Sequence, residues 1–309
     1  MASSLRPWVF VAVLFPGVFG CATLGGSRGG DTLTLRFAWP EQVSMRVAHT
    51  VDMQTTRRGR MTAQRRYMMT LGPVDPQGQR RLIPHDVEVS GSGLSALMDP
   101  VPTLIIDDHG AFRGIDPMDD SPGQDFLDAL PLSPEKKAQV TAKVTAGLEQ
   151  DAREKWNMWV GSWSGVRLKP GAEEVVETKM RVETGRRTHE QVPAEERTLL
   201  QVGIPCGDAD PEPRCVRLRV VLEPVGQTPE TTGRFARREL ELVTDPTTLL
   251  PYSSRLIRMD RVDWNDKGGE PDYRESVQVE QHTFIYGAEA AAGQMARVPP
   301  RQPSPTWEK

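Results

Sequence analysis

Val43-Ser-Met-Arg-Val-Ala-His-Thr-Val-Asp-Met-Gln54 decides the fold. Val43, Met45, Val47, Val51 and Met53 fall on one phase of a two-residue period. Gln42, Ser44, Arg46, Thr50, Asp52 and Gln54 fall on the other. Successive side chains of a strand point to opposite faces, so this pattern predicts a long strand with one buried face. His49 lies on the apolar phase, as a hydrogen-bonded core or rim histidine would. After a turn at Thr56-Arg57-Arg58-Gly59, the alternation resumes through Met61, Ala63, Tyr67, Met69 and Leu71, which predicts an antiparallel hairpin. Arg65 interrupts the inward series and predicts a bulge or a rim position.

The same reading extends outward. Leu33 to Trp39 alternates, Leu82 to Val89 reads as a strand, and Leu104–Ile106 with Phe112–Ile115 flanks an Asp107-Asp108-His109-Gly110 turn. The middle is helical. Ser121-Pro122 and Ser133-Pro134-Glu135 are helix entries, with serine as cap and proline in the first turn. From there Val140, Val144, Leu148, Ala152, Trp156, Trp159, Val160 and Trp163 recur every three or four residues, one apolar stripe on a long amphipathic helix. Strands return at Val176–Val182, Phe235–Val243, Tyr252–Trp264 and Ser276–Tyr286. The expected fold is mainly β with a helical insert at 121–163: about ten strands in a curved antiparallel sheet, a half-barrel, with the helix packed on it. No linker interrupts residues 32–286, which read as one domain. Residues 287–309, with Pro299, Pro300, Pro303 and Pro305, read as a disordered tail.

The N-terminus carries an address. In residues 1–20, Arg6 precedes an apolar run from Trp8 to Phe19, too short to span a bilayer and matching a secretory signal. Val18-Phe19-Gly20-Cys21 resembles the bacterial lipobox. The resemblance implies signal peptidase II cleavage before Cys21 and acylation of its thiol. Ala22 after the cysteine resembles lipoproteins sent to the outer membrane. Residues 21–31, rich in glycine, would form a flexible tether. The expected location is the cell envelope, with the chain held by acyl groups at roughly 0.8 kcal/mol per buried methylene. The same residues also allow cleavage by the ordinary signal peptidase with Cys21 incidental, or an uncleaved anchor. The order strands–helix–strands behind a lipobox is similar to the lipoprotein-carrier fold of LolA and LolB. That resemblance implies an interior in which Trp156, Trp159 and Trp163 would line a cavity for an acyl chain. Simple packing of these rings between helix and sheet is the other reading.

Cys206 and Cys215 flank Gly207, Asp208, Asp210, Pro211 and Pro213 between two strand-like runs. A hairpin would bring them within disulfide reach, as suits an oxidising compartment.

Other functions find little support. The net charge of −4 excludes a globally basic nucleic-acid binder, and a mean hydropathy of −0.47 excludes a polytopic membrane protein. Trp163 occupies the centre of Gly161-Ser-Trp-Ser-Gly165, where a nucleophile elbow needs serine. The five histidines show no ligand spacing. The acids from Asp107 to Asp128 do not match a calcium loop. Arg57, Arg58, Arg60, Arg65, Arg66, Arg80 and Arg81 make the first hairpin basic. This suits a solvated, aggregation-resistant face, or anionic headgroups. The expectation is a noncatalytic envelope lipoprotein with no cofactor or metal, serving a structural or protein-interaction role. The alternative is a carrier of a hydrophobic ligand.

Overall fold

The computed structural model describes residues 32–57, 59–92, 101–116, 131, 133–183, 189–207, 213–227, 234–263 and 272–287. The signal segment 1–20, the tether 21–31 with Cys21, the first part of the helical insert (121–130) and residues 288–309 of the tail lie outside them.

The strands are β1 (Leu33–Thr34), β2 (Val43–Thr55), β3 (Gly59–Leu71), β4 (Gln79–Ser92), β5 (Leu104–Asp107), β6 (Phe112–Ile115), β7 (Arg167–Leu168), β8 (Glu173–Glu183), β9 (His189–Ile204), β10 (Cys215–Pro224), β11 (Phe235–Thr244), β12 (Pro251–Asp263) and β13 (Tyr273–Tyr286). Eleven of them form one open, curved, wholly antiparallel sheet in the order β6-β5-β4-β3-β2-β13-β12-β11-β10-β9-β8. β1 pairs separately with β7. The chain runs outward from β2 to the edge at β6, crosses over through a helix, and returns from the other edge at β8 to meet β2 at β13. The fold class is therefore mainly β with one long helix packed on a curved sheet, with thirteen strands among the described residues rather than about ten.

Helix α1 (Pro134–Trp156) starts where Ser133 Oγ accepts the amide of Lys136 at 3.4 Å. Glu135 in its first turn and Arg153 and Lys155 in its last suit the helix dipole. It passes into a π-helical turn, Asn157–Gly161, so Trp159 and Trp163 lie beyond the α-helix proper. Only the C-terminal part packs: Leu148, Ala152, Trp156, Trp159, Val160 and Trp163 are buried, whereas Val144 is 45% exposed. The expected stripe is thus sheltered over its second half alone. The sheet covers one end of the helix, and periodicity cannot reveal where a partner surface stops.

The core lies between this helix end and the upper part of the inner face, with Met45, Val47, Tyr67, Met69, Leu218, Leu242 and Phe284 in one cluster with the tryptophans. The outer face carries a lattice of ion pairs, among them Arg219–Glu239, Arg217–Glu241, Arg237–Glu223 and Arg60–Asp52. Leu35 to Trp39, expected as strand, is instead an extended segment. Leu35 N donates to Val166 O (2.9 Å), Arg36 N to Pro246 O (3.1 Å) and Ala38 N to Thr248 O (3.2 Å).

Cys206 and Cys215 form a disulfide with Cα atoms 5.0 Å apart, buried with Val243. Converting both to alanine is expected to cost about 2–3 kcal/mol, the loop entropy of roughly ten residues. Urea denaturation of oxidised wild type and the double variant will measure this; equal midpoints would refute it.

Candidate functional site

Strands β3, β2, β13 and β12 lie side by side, and their register sets Arg65 opposite His49, His49 opposite His282, and His282 opposite Ser254. Directly opposed residues of antiparallel strands share a face. Four polar side chains therefore form one row across the inner face, which continues as Leu242, Leu218 and Leu200. Glu280, two residues before His282, joins them. All five polar residues are buried.

The two imidazoles stack at 4.1 Å between centroids, 10° from parallel. His49 Nδ1 lies 3.2 Å from the Arg65 guanidinium, and its Nε2 lies 2.9 Å from Glu280 Oε1. A guanidinium can only donate, so Nδ1 accepts and the His49 proton sits on Nε2, directed at Glu280. Trp159 Nε1 donates to Ser254 Oγ at 3.1 Å, and Ser254 Oγ lies 3.2 Å from His282 Nδ1. His282 Nε2 stands 3.8 Å from Glu280 Oε1 and has no hydrogen-bond partner among the described residues. Arg258 Nη1 (3.4 Å) and Lys155 Nζ (3.9 Å) also face the Glu280 carboxylate, and Lys155 is bonded to Asp151 at 2.7 Å.

Burial lowers the pKa of both histidines, most for His282, whose neighbour His49 adds to the effect. Burial pushes the Glu280 carboxyl upward. The hydrogen bond from His49 and the charges around it, Lys155 among them, outweigh burial and hold it well below the usual range. At neutral pH the site is one carboxylate, two neutral imidazoles and three surrounding cations.

Two chemistries suggest themselves from this residue set. His49, Glu280 and His282 place ligand-type atoms within 4.8 Å of one another, a set that divalent metals use. Here the rings are parallel and stacked, so their in-plane lone pairs cannot converge on one ion. Nε2 of His49 is protonated, and cations already neutralise the carboxylate. The geometry does not fit a metal. Ser254, His282 and Glu280 have the composition of a hydrolytic triad. Ser254 is 2% exposed and lies under Trp159, so its oxygen cannot meet a substrate. What the arrangement does is tie four central strands to the helix end through buried polar contacts.

The three tryptophans are divided between two places. Trp156 is fully buried, donates to Gly110 O at 2.8 Å and meets Trp39 edge-on at 5.4 Å. Gly110 has φ +81°, and a Cβ there would strike the Phe37 ring at 2.5 Å, so only glycine fits beneath it. Trp159 faces the polar row, edge-on to His282 at 4.9 Å and Phe284 at 5.2 Å. Trp163 closes the turn by donating to Met158 O at 2.9 Å.

Arg65, expected at a bulge or rim, is buried in the row. The β3–β4 irregularity falls between Arg66 and Met68 instead. The charged head is accommodated inside because His49 Nδ1 accepts from it and the Tyr67 ring lies 5.5 Å away. The other basic residues of the first hairpin do not gather. Arg60 pairs with Asp52, Arg81 with Asp116, and Arg80 is buried, donating to Gly72 O and Pro40 O. Arg58 lies outside the described residues. Asp107 accepts from the amides of His109 and Ala111 and from Arg113, the pattern of a polar turn. Asp119, Asp120, Asp125 and Asp128 lie outside the described residues. Glu280, His282 and Ser254 escaped the sequence reading. The available signal was polar residues on the phase of Phe284, matching His49 on β2.

A shallow groove of about 380 Å³ opens beside Pro40, Val43, Met68, Leu250, Tyr252 and Tyr286. No helix among the described residues is long and apolar enough to cross a membrane.

No protein-family model and no curated protein sequence matches the chain. Among solved structures it is similar to one described as lipid–protein interactions in lipovitellin, at 9% identity and a TM-score of 0.40. The match covers 81% of this chain and 25% of that one, so the chain spans about a quarter of that protein.

Proposed function

We propose that the chain is a noncatalytic lipoprotein of the cell envelope, moored at the outer membrane through acylated Cys21, whose β-rich body serves a structural or protein-interaction role. The lipobox-like Val18-Phe19-Gly20-Cys21 supports the anchor. The observation that carries the noncatalytic reading is the filled space between helix and sheet. Trp156, Trp159 and Trp163 occupy it with every indole N–H bonded, and the histidines and serine beneath are sealed from solvent. A catalytic group must reach its substrate, and these do not.

Mass spectrometry of the mature N-terminus and cell fractionation test the anchor. Wild type is expected in the membrane pellet with an acylated Cys21. Cys21→Ser is expected in the soluble fraction, since loss of the acyl chains removes the membrane affinity. An unmodified Cys21, or a variant that pellets as wild type does, would end this reading.

A hydrophobic-ligand carrier is the second reading. It is favoured by the lower inner face, where Val51, Met53, Met61, Leu240 and Leu256 remain only half-buried. Native mass spectrometry of protein purified without detergent separates the two: a copurifying lipid supports the carrier, a ligand-free mass the structural role.

A further inference from the structure

We infer that the stacked pair His49–His282 is a proton-operated latch, whose protonation releases the Trp159 end of the helix from the sheet. The latch does not depend on the anchor or on either reading above.

The geometry concentrates the consequence of a proton at one point. The two rings are in van der Waals contact at 4.1 Å, so two imidazoliums would repel at close range in a site without solvent. Every packed element contributes charge here. β3 supplies Arg65 and the phenol of Tyr67, β12 supplies Arg258, and β13 supplies Glu280. The helix supplies Lys155 and Asp151, which bond to each other. Among the described residues Glu280 is thus the one carboxylate in direct contact with the rings, and Arg258 and Lys155 already share it. It can compensate one ring, not two.

The latch is also wired to a movable part. Trp159 touches His282 edge-on and donates to Ser254, which in turn contacts His282 Nδ1. A protonated His282 must donate from Nδ1, so the Ser254 oxygen then accepts from both His282 and Trp159 and its own proton must turn away from the ring. Trp159 lies on a π-helical turn rather than a regular helix, and most of the helix before Leu148 is exposed. Among the described residues, the buried end makes most of the contacts that hold this element down. Histidine pairs that ionise as pH falls are a general way to bias such a two-state contact.

The test is an acid titration of the full-length protein in detergent, following tryptophan emission, acrylamide quenching and far-UV circular dichroism. The expected result is a red shift and greater quenching as pH falls below the ordinary histidine value of 6.5, with far-UV signal retained. The slope should approach about 2 protons, because the opened state takes up a proton on each ring while the closed state excludes both. NMR of ¹³C-labelled histidine should show His49 and His282 titrating together within that transition. His49→Gln/His282→Gln should lack the step. The latch is overturned if emission stays unchanged until far-UV signal is itself lost, or if the rings stay neutral through the emission change. Should the double variant not fold, the wild-type NMR titration decides alone.

Discussion

Trp156→Ala is expected to lower stability by about 3–5 kcal/mol, the range for truncating a large buried aromatic side chain. Three losses coincide. The ring is fully buried, so its removal leaves a cavity where helix, N-terminal segment and β5–β6 hairpin meet. Gly110 O loses the indole N–H that satisfies it. The edge-on contacts with Trp39 and Phe37 disappear, and those rings are themselves the packing surface for residues 35–39. Trp156→Phe keeps most of the volume and is expected to recover more than half of the loss. Equilibrium urea denaturation checks both. A Trp156→Ala midpoint within error of wild type would mean that the helix end is not seated as described.

Glu280→Ala is expected to cost about 3 kcal/mol, near the lower end for breaking a buried charge cluster by removing one partner. The cost falls on His49, whose Nε2–H then has no acceptor in a dry site, more than on Lys155 and Arg258, which retain partial access to water. Glu280→Gln keeps an acceptor for His49 and is expected to cost less. The pH dependence has a definite sign. Glu280 is depressed in the folded state, so its stabilisation is present above the unfolded value of 4.5 and is lost as pH falls through the folded value. His49 and His282 are depressed as well. The unfolded chain then binds protons that the folded one refuses, and stability falls as pH drops below 6.5. All three groups act in the same direction. Wild type should lose stability as pH falls below 6.5, first through the histidines, and Glu280→Gln should retain that loss while missing the part that Glu280 adds below 4.5. Denaturant midpoints at four pH values will show it. A flat profile would contradict the buried assignment.

What was legible in the chain followed the range of the interactions involved. The strand at Val43–Thr55 and its hairpin partner depend on alternation within a few residues, and the structure has both. The disulfide joins residues flanking one turn, and turn chemistry pointed to it. The helix entry at Ser133-Pro134 is equally local. The polar row is different. His49 could be placed on an inward phase, but its partners His282 and Ser254 come from strands near the other end of the chain, brought alongside by the β2–β13 and β13–β12 registers. Nothing in the alternation of β2 says which strand lies beside it. Arg65 was misplaced for the same reason. An arginine on an apolar phase looks like an exception until an acceptor is known to stand opposite. Val144 shows the converse error, a regular stripe that outruns the surface it serves.

The pairing of β2 with β13 also governs how the chain acquires its shape in time. The first long strand and the last are neighbours. Thr56 and Glu275, 219 residues apart, bond to each other through both backbone and hydroxyl. Each flanking set of strands can form hairpins early, yet the sheet cannot be joined at its centre until the final strand arrives. Loop closure over such a separation must be met before the joining contacts repay it, which places this protein among slow folders. Until then the half ending at β2 presents a long bare edge, and the nascent chain is open to strand exchange with its neighbours.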